Sequence, residues 1–276
     1  MSICIFSNYN INETLLEKAL TKKTKAIFIA HTLGNPFNLN KIKKFAEKYN
    51  LYLIEDCCDA LGAEYNGKNV GTFGDIATLS FYPAHHITMG EGGGIFCKSS
   101  KLKKIIESIR DWGRDCWCET GCDNTCKKRF GWKLGSLPYG YDHKYTYSNL
   151  GYNLKVTDVQ AAIGVAQFKK LDYFIQKRNK NFFILKNYLL DLKKYFILPQ
   201  ETKNASPSWF GFPITIRNKK YIDRNKLLEY LNKNEIGTRL LFGGNIIKQP
   251  YMKYQKYKIS GSLTNSDKIM NNSFWV

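Results

Sequence analysis

The sequence predicts an α/β protein, with a partial, mostly parallel sheet domain followed by a smaller C-terminal α/β domain. Three observations predict it. Ala26–Ala30 and Leu51–Ile54 are short continuous apolar runs, the pattern of strands buried on both faces. Leu39–Tyr49 lies between them and repeats its apolar residues at helical spacing, so strand, helix and strand follow in the order that makes parallel pairs. The chain has 276 residues, 43% of them hydrophobic, enough to bury a real core.

The remaining elements follow in order. Asn12–Leu20 reads as a short helix with Asn12 as its cap, and His31–Phe37, with Gly34 and Pro36, as a loop. Ile76–Phe81 and Gly94–Phe96 supply two more strands, and Ser99–Trp112 is a helix rich in Lys and Ile. Residues 113–150 form an irregular stretch with five glycines and four cysteines, long enough to be functional. Thr157 stands three residues before Gln160, a capping-box pattern. It opens a helical stretch to about Tyr195, with a break expected near Asn179–Asn181. Phe210–Ile216 and Ile236–Leu241 are expected strands around an Arg224–Asn232 helix. The expected division is residues 1–165, a partial large domain carrying the cysteine-rich loop, and 166–276, a bridging helix and small domain. The chain starts almost directly in sheet and stops at the apolar Phe274-Trp275-Val276, so a shortened version of a longer protein is expected.

Composition narrows the function. The formal charge is +19, and residues 1–100 hold 10 basic and 9 acidic residues, so the excess lies in the later part. Lysine dominates it, without the compact arginine-rich segment that grips phosphates, so no nucleic-acid partner is expected. No apolar run of membrane-spanning length and no secretory leader is present, so no membrane partner and a cytoplasmic location are expected. Eight clustered cysteines in such a chain suggest a metal or redox site rather than disulfides. Cys4 and Cys97 read as ordinary buried thiols.

Two blocks carry the chemistry. Glu55-Asp56-Cys57-Cys58-Asp59 ends a parallel strand, where open α/β sheets place ligands, although the two acids could instead cap the next helix. Ser80-Phe81 leads through His85-His86 to Gly90-Glu91-Gly92-Gly93-Gly94. Together these blocks resemble the sugar aminotransferase family of vitamin B6 enzymes, of the fold type I class of PLP-dependent transferases. There an acidic pair precedes S-F-x-x-x-K and then G-E-G-G. Here His85 stands at the lysine position. The family lysine forms a Schiff base with pyridoxal phosphate, which histidine cannot do. The exchange resembles the 3-dehydratases of 4-keto-6-deoxy nucleotide sugars in that family. It implies non-covalently held pyridoxamine 5′-phosphate, with His85 as general base. An ordinary PLP-dependent aminotransferase is the alternative, and the missing lysine opposes it.

Cys58, Cys116, Cys118 and Cys126 are spaced C-x57-C-x-C-x7-C. This spacing resembles the [2Fe–2S] ligand set of the iron–sulfur 3-dehydrases in the same family. Four thiolates suit such a cluster, and zinc sites usually pair cysteines two to four residues apart. Cys122 could replace Cys118 or Cys126, and a non-catalytic cysteine-rich metal-binding module remains the reading from another class. The resemblance implies a CDP-4-keto-6-deoxyhexose substrate on the route to 3,6-dideoxysugars of lipopolysaccharide, and an NADH-dependent flavin/iron–sulfur reductase as partner. It assigns Asp56 to the pyridine nitrogen, Asp59 beside the ring and Ser80 to the cofactor phosphate. Asn153 would reach the phosphate of a partner subunit, which implies a homodimer, and Arg239 would meet the nucleotide diphosphate. No glycine-, serine- or threonine-rich phosphate loop precedes His31, so an inactive fragment is a further reading.

Overall fold

The computed structural model describes residues 7–118 and 121–276; Cys4 lies outside them. Contacts group the chain into two compact units, one running up to Phe96 and resuming over Ile163–Val276, the other Cys97–Ala162. In the first, β1 (Ala26–Ala30) leads through α1 (Leu39–Lys48) to β2 (Tyr52–Asp56), then β3 (Ile76–Ser80) and β4 (Gly93–Cys97). The sheet order is β1-β2-β3-β4, and β1–β2 and β2–β3 are parallel. The short helical segment at Glu13–Ala19 begins on Asn12, whose side chain accepts from the Thr14 amide.

α1 forms because Leu39, Ile42 and Ala46 fall on one face and Asn38 caps it, accepting from the Lys41 amide. That face packs on Leu53, Phe37 and Leu51, with Ile27 and Ile29 alongside. Each such apolar side chain, when fully buried, contributes about 1.5–3 kcal/mol. The expectation that β1 is buried on both faces is corrected. Its residues alternate, and Phe28 is 64% exposed. Tyr52 on β2 is exposed as well. Strand side chains point alternately to opposite faces, and among the described residues only the Ile27–Ile29 face meets the helix.

The strand β2 is tied down by Glu55, which is fully buried. Its carboxylate accepts the Gly71 amide on one oxygen, and the Phe73 and Gly74 amides on the other. His31 Nε2 lies 3.2 Å from Oε2, and the Phe37 amide donates to His31 Nδ1. That bond fixes the tautomer with its proton on Nε2, donated to Glu55. Burial holds His31 below the ordinary imidazole range, so it stays neutral. The His31 and main-chain hydrogen bonds hold Glu55 below the usual carboxylate range against the opposing effect of burial. The close geometry of His31, Glu55 and Cys57 thus comes from a carboxylate already filled by amides.

In the second unit α2 (Ser100–Arg110) starts on its cap Ser99, and the described residues of 113–150 are irregular apart from a turn of 3-10 helix at His143–Tyr145. α3 (Asp158–Phe168) opens with the expected capping box. The Gln160 amide donates to Thr157 Oγ1, and the Thr157 amide donates to Gln160 Oε1. α4 (Leu171–Tyr188) follows, so the helical break falls at residues 169–170 rather than near 179–181. Asn179 does not break the helix because its amide is used outward, on the Pro207 carbonyl and the Trp209 amide.

β5 (Phe196–Ile197), β6 (Pro213–Ile216) and the C-terminal strand β7 (Ser273–Trp275) make an antiparallel sheet in the order β7-β6-β5. α5 (Arg224–Lys233) and α6 (Thr264–Asn272) accompany it. The core is aromatic, with Phe182 stacked on Trp209 at 3.7 Å and Phe212 and Phe274 fully buried. The expected strand over 210–216 starts only at Pro213, because the Phe210 amide donates to Leu33 instead. No strand forms over 236–241: Glu235 and Phe242 adopt positive φ, and only Arg239 bridges to Trp275. Cys97 is half-buried rather than buried.

Glu55→Ala removes the partner of three amides and of His31 and is expected to cost roughly 3–5 kcal/mol, measured by denaturant unfolding. Both native values are lowered, so the unfolded chain binds protons first. Stability of the unsubstituted chain is therefore expected to fall as pH drops below the ordinary histidine value of 6.5; a flat profile from pH 6.5 to 4 would contradict this.

Candidate active site

β2 and β3 pair in register, so Ala30, Asp56 and Thr78 stand side by side where the parallel strands end. Asp56 Oδ1 accepts the Cys58 amide at 3.0 Å and the Thr78 hydroxyl at 3.3 Å. It therefore faces along the sheet end and caps no helix. The chain turns after β2, so that Asp59 comes back beside it. Burial, reinforced by the Asp56 charge, pushes the Asp59 carboxyl up to about 6.

His85 sits in the turn after β3, where its amide donates to the Tyr82 carbonyl. Its Nε2 lies 3.6 Å from Asp59 Oδ1. Burial holds the imidazole below its ordinary range, with a hydrogen bond to the Ser80 backbone and the Asp56 charge pulling the other way and Arg178 adding to the depression. A neutral imidazole beside two carboxyls can take a proton from a bound molecule. Ser80 Oγ accepts from the Tyr82 amide at 3.3 Å.

Further parts of the site come from distant segments. Phe210 meets His85 edge-on at 5.4 Å and touches Trp275 at 5.3 Å. Arg178 on α4 donates to the Phe210 carbonyl and lies over its ring, while Asn179 holds Pro207 and Trp209. His86 is buried with Nε2 on the Ser208 carbonyl, and burial pushes it down to about 4. The loop at Leu33–Gly34 presses on the same segment. Gly34 has φ +87°, and a Cβ there would fall 1.8 Å from the Ser208 oxygen. Arg178 was not singled out from sequence, and His86 and Phe210 were given no role of their own. The Ser208-Trp209-Phe210 run was visible, but nothing in it says that its ring reaches a histidine 125 residues earlier.

The other assigned residues lie as follows. Cys58 Sγ is 3.9 Å from the Thr78 hydroxyl and, through burial and Asp56, its thiol is pushed up to about 12. Cys57 is buried on the other side of the turn and is raised further by burial. In the second unit, Cys116, Cys118, Cys122 and Cys126 line one cavity of about 150 Å³ together with His143 and Arg129. Cys118 lies within hydrogen-bonding reach of Thr125, Cys126 and Cys116, and these bonds, Thr125 first, lower its thiol to about 6. Soft sulfur donors gathered around a cavity fit a thiolate-bound metal or cluster. Asn153 is exposed and bridges to Asp111. Arg239 is exposed and its guanidinium donates to the Thr238 carbonyl. Among the described residues no helix is long and apolar enough to cross a membrane.

Comparison with known proteins gives the family. The model of the DegT/DnrJ/EryC1/StrS aminotransferase family matches residues 6–276. Over 268 residues the chain is 61% identical to the lipopolysaccharide biosynthesis protein RfbH of Salmonella typhimurium, covering 97% of this chain and 61% of that protein. It is 51% identical to the dTDP-4-dehydro-2,6-dideoxy-D-glucose 3-dehydratase of Saccharopolyspora spinosa, covering 97% of this chain and 58% of that one. The chain thus spans about three fifths of the length of these relatives. Among solved structures, an Escherichia coli GDP-4-keto-6-deoxy-D-mannose-3-dehydratase with bound hydrated PLP superposes with a TM-score of 0.82 at 33% identity, covering 99% of this chain and 67% of that one.

The thiol values predict an order of reactivity. In metal-free chain at pH 7, iodoacetamide should modify Cys118 first and Cys58 far more slowly, because the thiolate is the nucleophile. Peptide mass spectrometry over time checks this, and equal rates would contradict it.

Proposed function

Because the chain belongs to the DegT/DnrJ/EryC1/StrS aminotransferase family, we propose that the protein it represents is a pyridoxamine-phosphate-dependent 3-dehydratase of a nucleotide-linked 4-keto-6-deoxyhexose. The observation that carries this reading is His85. It stands after β3, held among Asp56, Asp59 and Phe210, with its ring half-buried beside the Asp59 carboxyl. An ordinary aminotransferase of this family needs a lysine there.

Bound pyridoxamine phosphate supplies an amine for the sugar's C4 ketone and a ring that accepts electrons. Asp56 holds the proton on the ring nitrogen, and its Oδ1 is kept in place by Cys58 and Thr78. His85, neutral at pH 7, would take the proton from the C4′ carbon of the bound cofactor and return it to the departing C3 hydroxyl, which would leave as water. Asp59 faces His85 and, with a value about 6, balances the imidazolium that results. Phe210 shields this edge from water. Ser80 contacts the cofactor phosphate, Asn153 does so from the partner subunit of a homodimer, and Arg239 meets the nucleotide diphosphate.

Replacing a C3 hydroxyl by hydrogen consumes two electrons. We assign their relay to a [2Fe–2S] cluster on Cys58, Cys116, Cys118 and Cys126, with Cys122 as the substitute for one of the loop thiols. The source is an NADH-dependent flavin/iron–sulfur reductase. The gathered sulfurs of Cys116, Cys118 and Cys126 and the acidic Cys118 thiol support this reading. A CDP-linked hexose destined for 3,6-dideoxysugars of lipopolysaccharide, handled in the cytoplasm, completes the proposal. In the parent protein residues 1–165 belong to the cofactor-binding domain and 166–276 to the bridging helix and small domain.

The test is a pair of substitutions. His85→Asn should still bind pyridoxamine phosphate but lose C3 dehydration, by roughly 10²–10⁴-fold as for loss of a general base; retained turnover removes His85 from the chemistry. His85→Lys should acquire a visible band with pyridoxal phosphate that borohydride fixes to the chain. An ultraviolet–visible spectrum of anaerobically purified protein, with iron and sulfide counts, tests the cluster separately; zinc without iron would overturn it.

A further inference from the structure

Within residues 113–150 most side chains are exposed or half-exposed, yet a histidine is buried at the centre. His143 is 1% exposed. Its amide donates to the Arg129 carbonyl, the Thr146 amide donates to its carbonyl, and the Asp115 amide donates to Thr146. Arg129 is itself fixed by a paired contact to Asp142, the residue before His143. The ring lies between two indoles, with Trp117 edge-on at 5.0 Å and Trp132 tilted at 5.5 Å. The loop is therefore folded around this imidazole.

Both ring nitrogens are aimed. Nε2 lies 2.9 Å from Asp115 Oδ2, and Asp115 Oδ1 accepts the Ser148 hydroxyl, which holds the carboxylate. Nδ1 lies 4.0 Å from the sulfur of Cys126. A carboxylate on one nitrogen and a soft donor beside the other is the arrangement that metal sites use outside their ligands, where it orients them and tunes their electron density. The sequence reading gave no role to Asp115 or His143.

We propose that Asp115 and His143 form an outer hydrogen-bonding layer to Cys126 that sets the reduction potential of the metal cluster. This rests on the cluster reading above. His143 bridges the Asp115 carboxylate and the Cys126 sulfur, with the two indoles flanking its ring. A hydrogen bond to a ligand sulfur draws off electron density and makes the cluster easier to reduce. The assigned cysteines remain the ligands; His143 is a positioning residue.

The test compares the unsubstituted chain, His143→Leu and Asp115→Asn after anaerobic reconstitution with ferrous iron and sulfide. Iron and sulfide counts, the electron paramagnetic resonance spectrum of the reduced state and the midpoint potential are read. The expected result is equal iron and sulfide in all three. His143→Leu should become about tenfold harder to reduce, ~59 mV lower for one electron, with altered g-values, and Asp115→Asn should fall between. Unchanged potential and g-values in His143→Leu overturn the proposal. If His143→Leu loses the cluster while Asp115→Asn keeps it at the original potential, the proposal is also overturned, since the ring then only holds the loop together. An unsubstituted chain that takes up no iron and sulfide overturns the cluster reading itself and, with it, this inference.

Discussion

The buried carboxylate of Glu55 is the constraint on which the first unit depends. It is a charge held at zero exposure, and such a charge is tolerated only when hydrogen bonds replace its water. Three amides from Gly71, Phe73 and Gly74 and the ring of His31 do this. One side chain thereby fixes the end of β2, the loop that leads into β3 and the turn that follows β1. The next residue along, Asp56, inherits its position from that lock. So does the segment 33–34, which follows His31 and carries the carbonyls that accept the Ser208 and Phe210 amides.

The site is accordingly assembled from backbone contacts more than from its own charges. Ser208 and Phe210 hang on Gly34 and Leu33 by main-chain bonds, and α4 clamps the same residues from the other side through Arg178 and Asn179. The ring of Phe210 is then placed against His85 without any strong interaction between them. Desolvation follows from this packing. It keeps His85 and His86 neutral and raises Asp59, so that the proton states needed for proton transfer come from burial first and from neighbouring charge second.

Local patterns were legible where one cause decides the outcome. The caps Asn12 and Thr157, the helix α1 and the parallel pair β1–β2 all followed from residue type and spacing. Asp56 and His85 were legible as chemistry through a family pattern, in which histidine replaces lysine. Readings failed where tertiary contacts took over. A continuous apolar run cannot say whether both faces are covered, and Phe28 proved exposed. Asn179 looked like a helix breaker, but its amide had a use beyond its own helix. The 236–241 run looked like a strand, but positive φ at Glu235 and Phe242 bends it away. Nothing local gave Arg178, Phe210 and His143 their roles, because these depend on partners far along the chain.

The unequal acidity of the thiols gives metal uptake a direction. Cys118, at about 6, is already an anion at neutral pH and can capture a cation without first losing a proton. Cys58, held near 12 by burial and by Asp56, releases its proton only to a cation that is already bound close by. Under the proposed cluster reading, Cys118 is therefore the thiol that binds iron first and Cys58 the one that binds last.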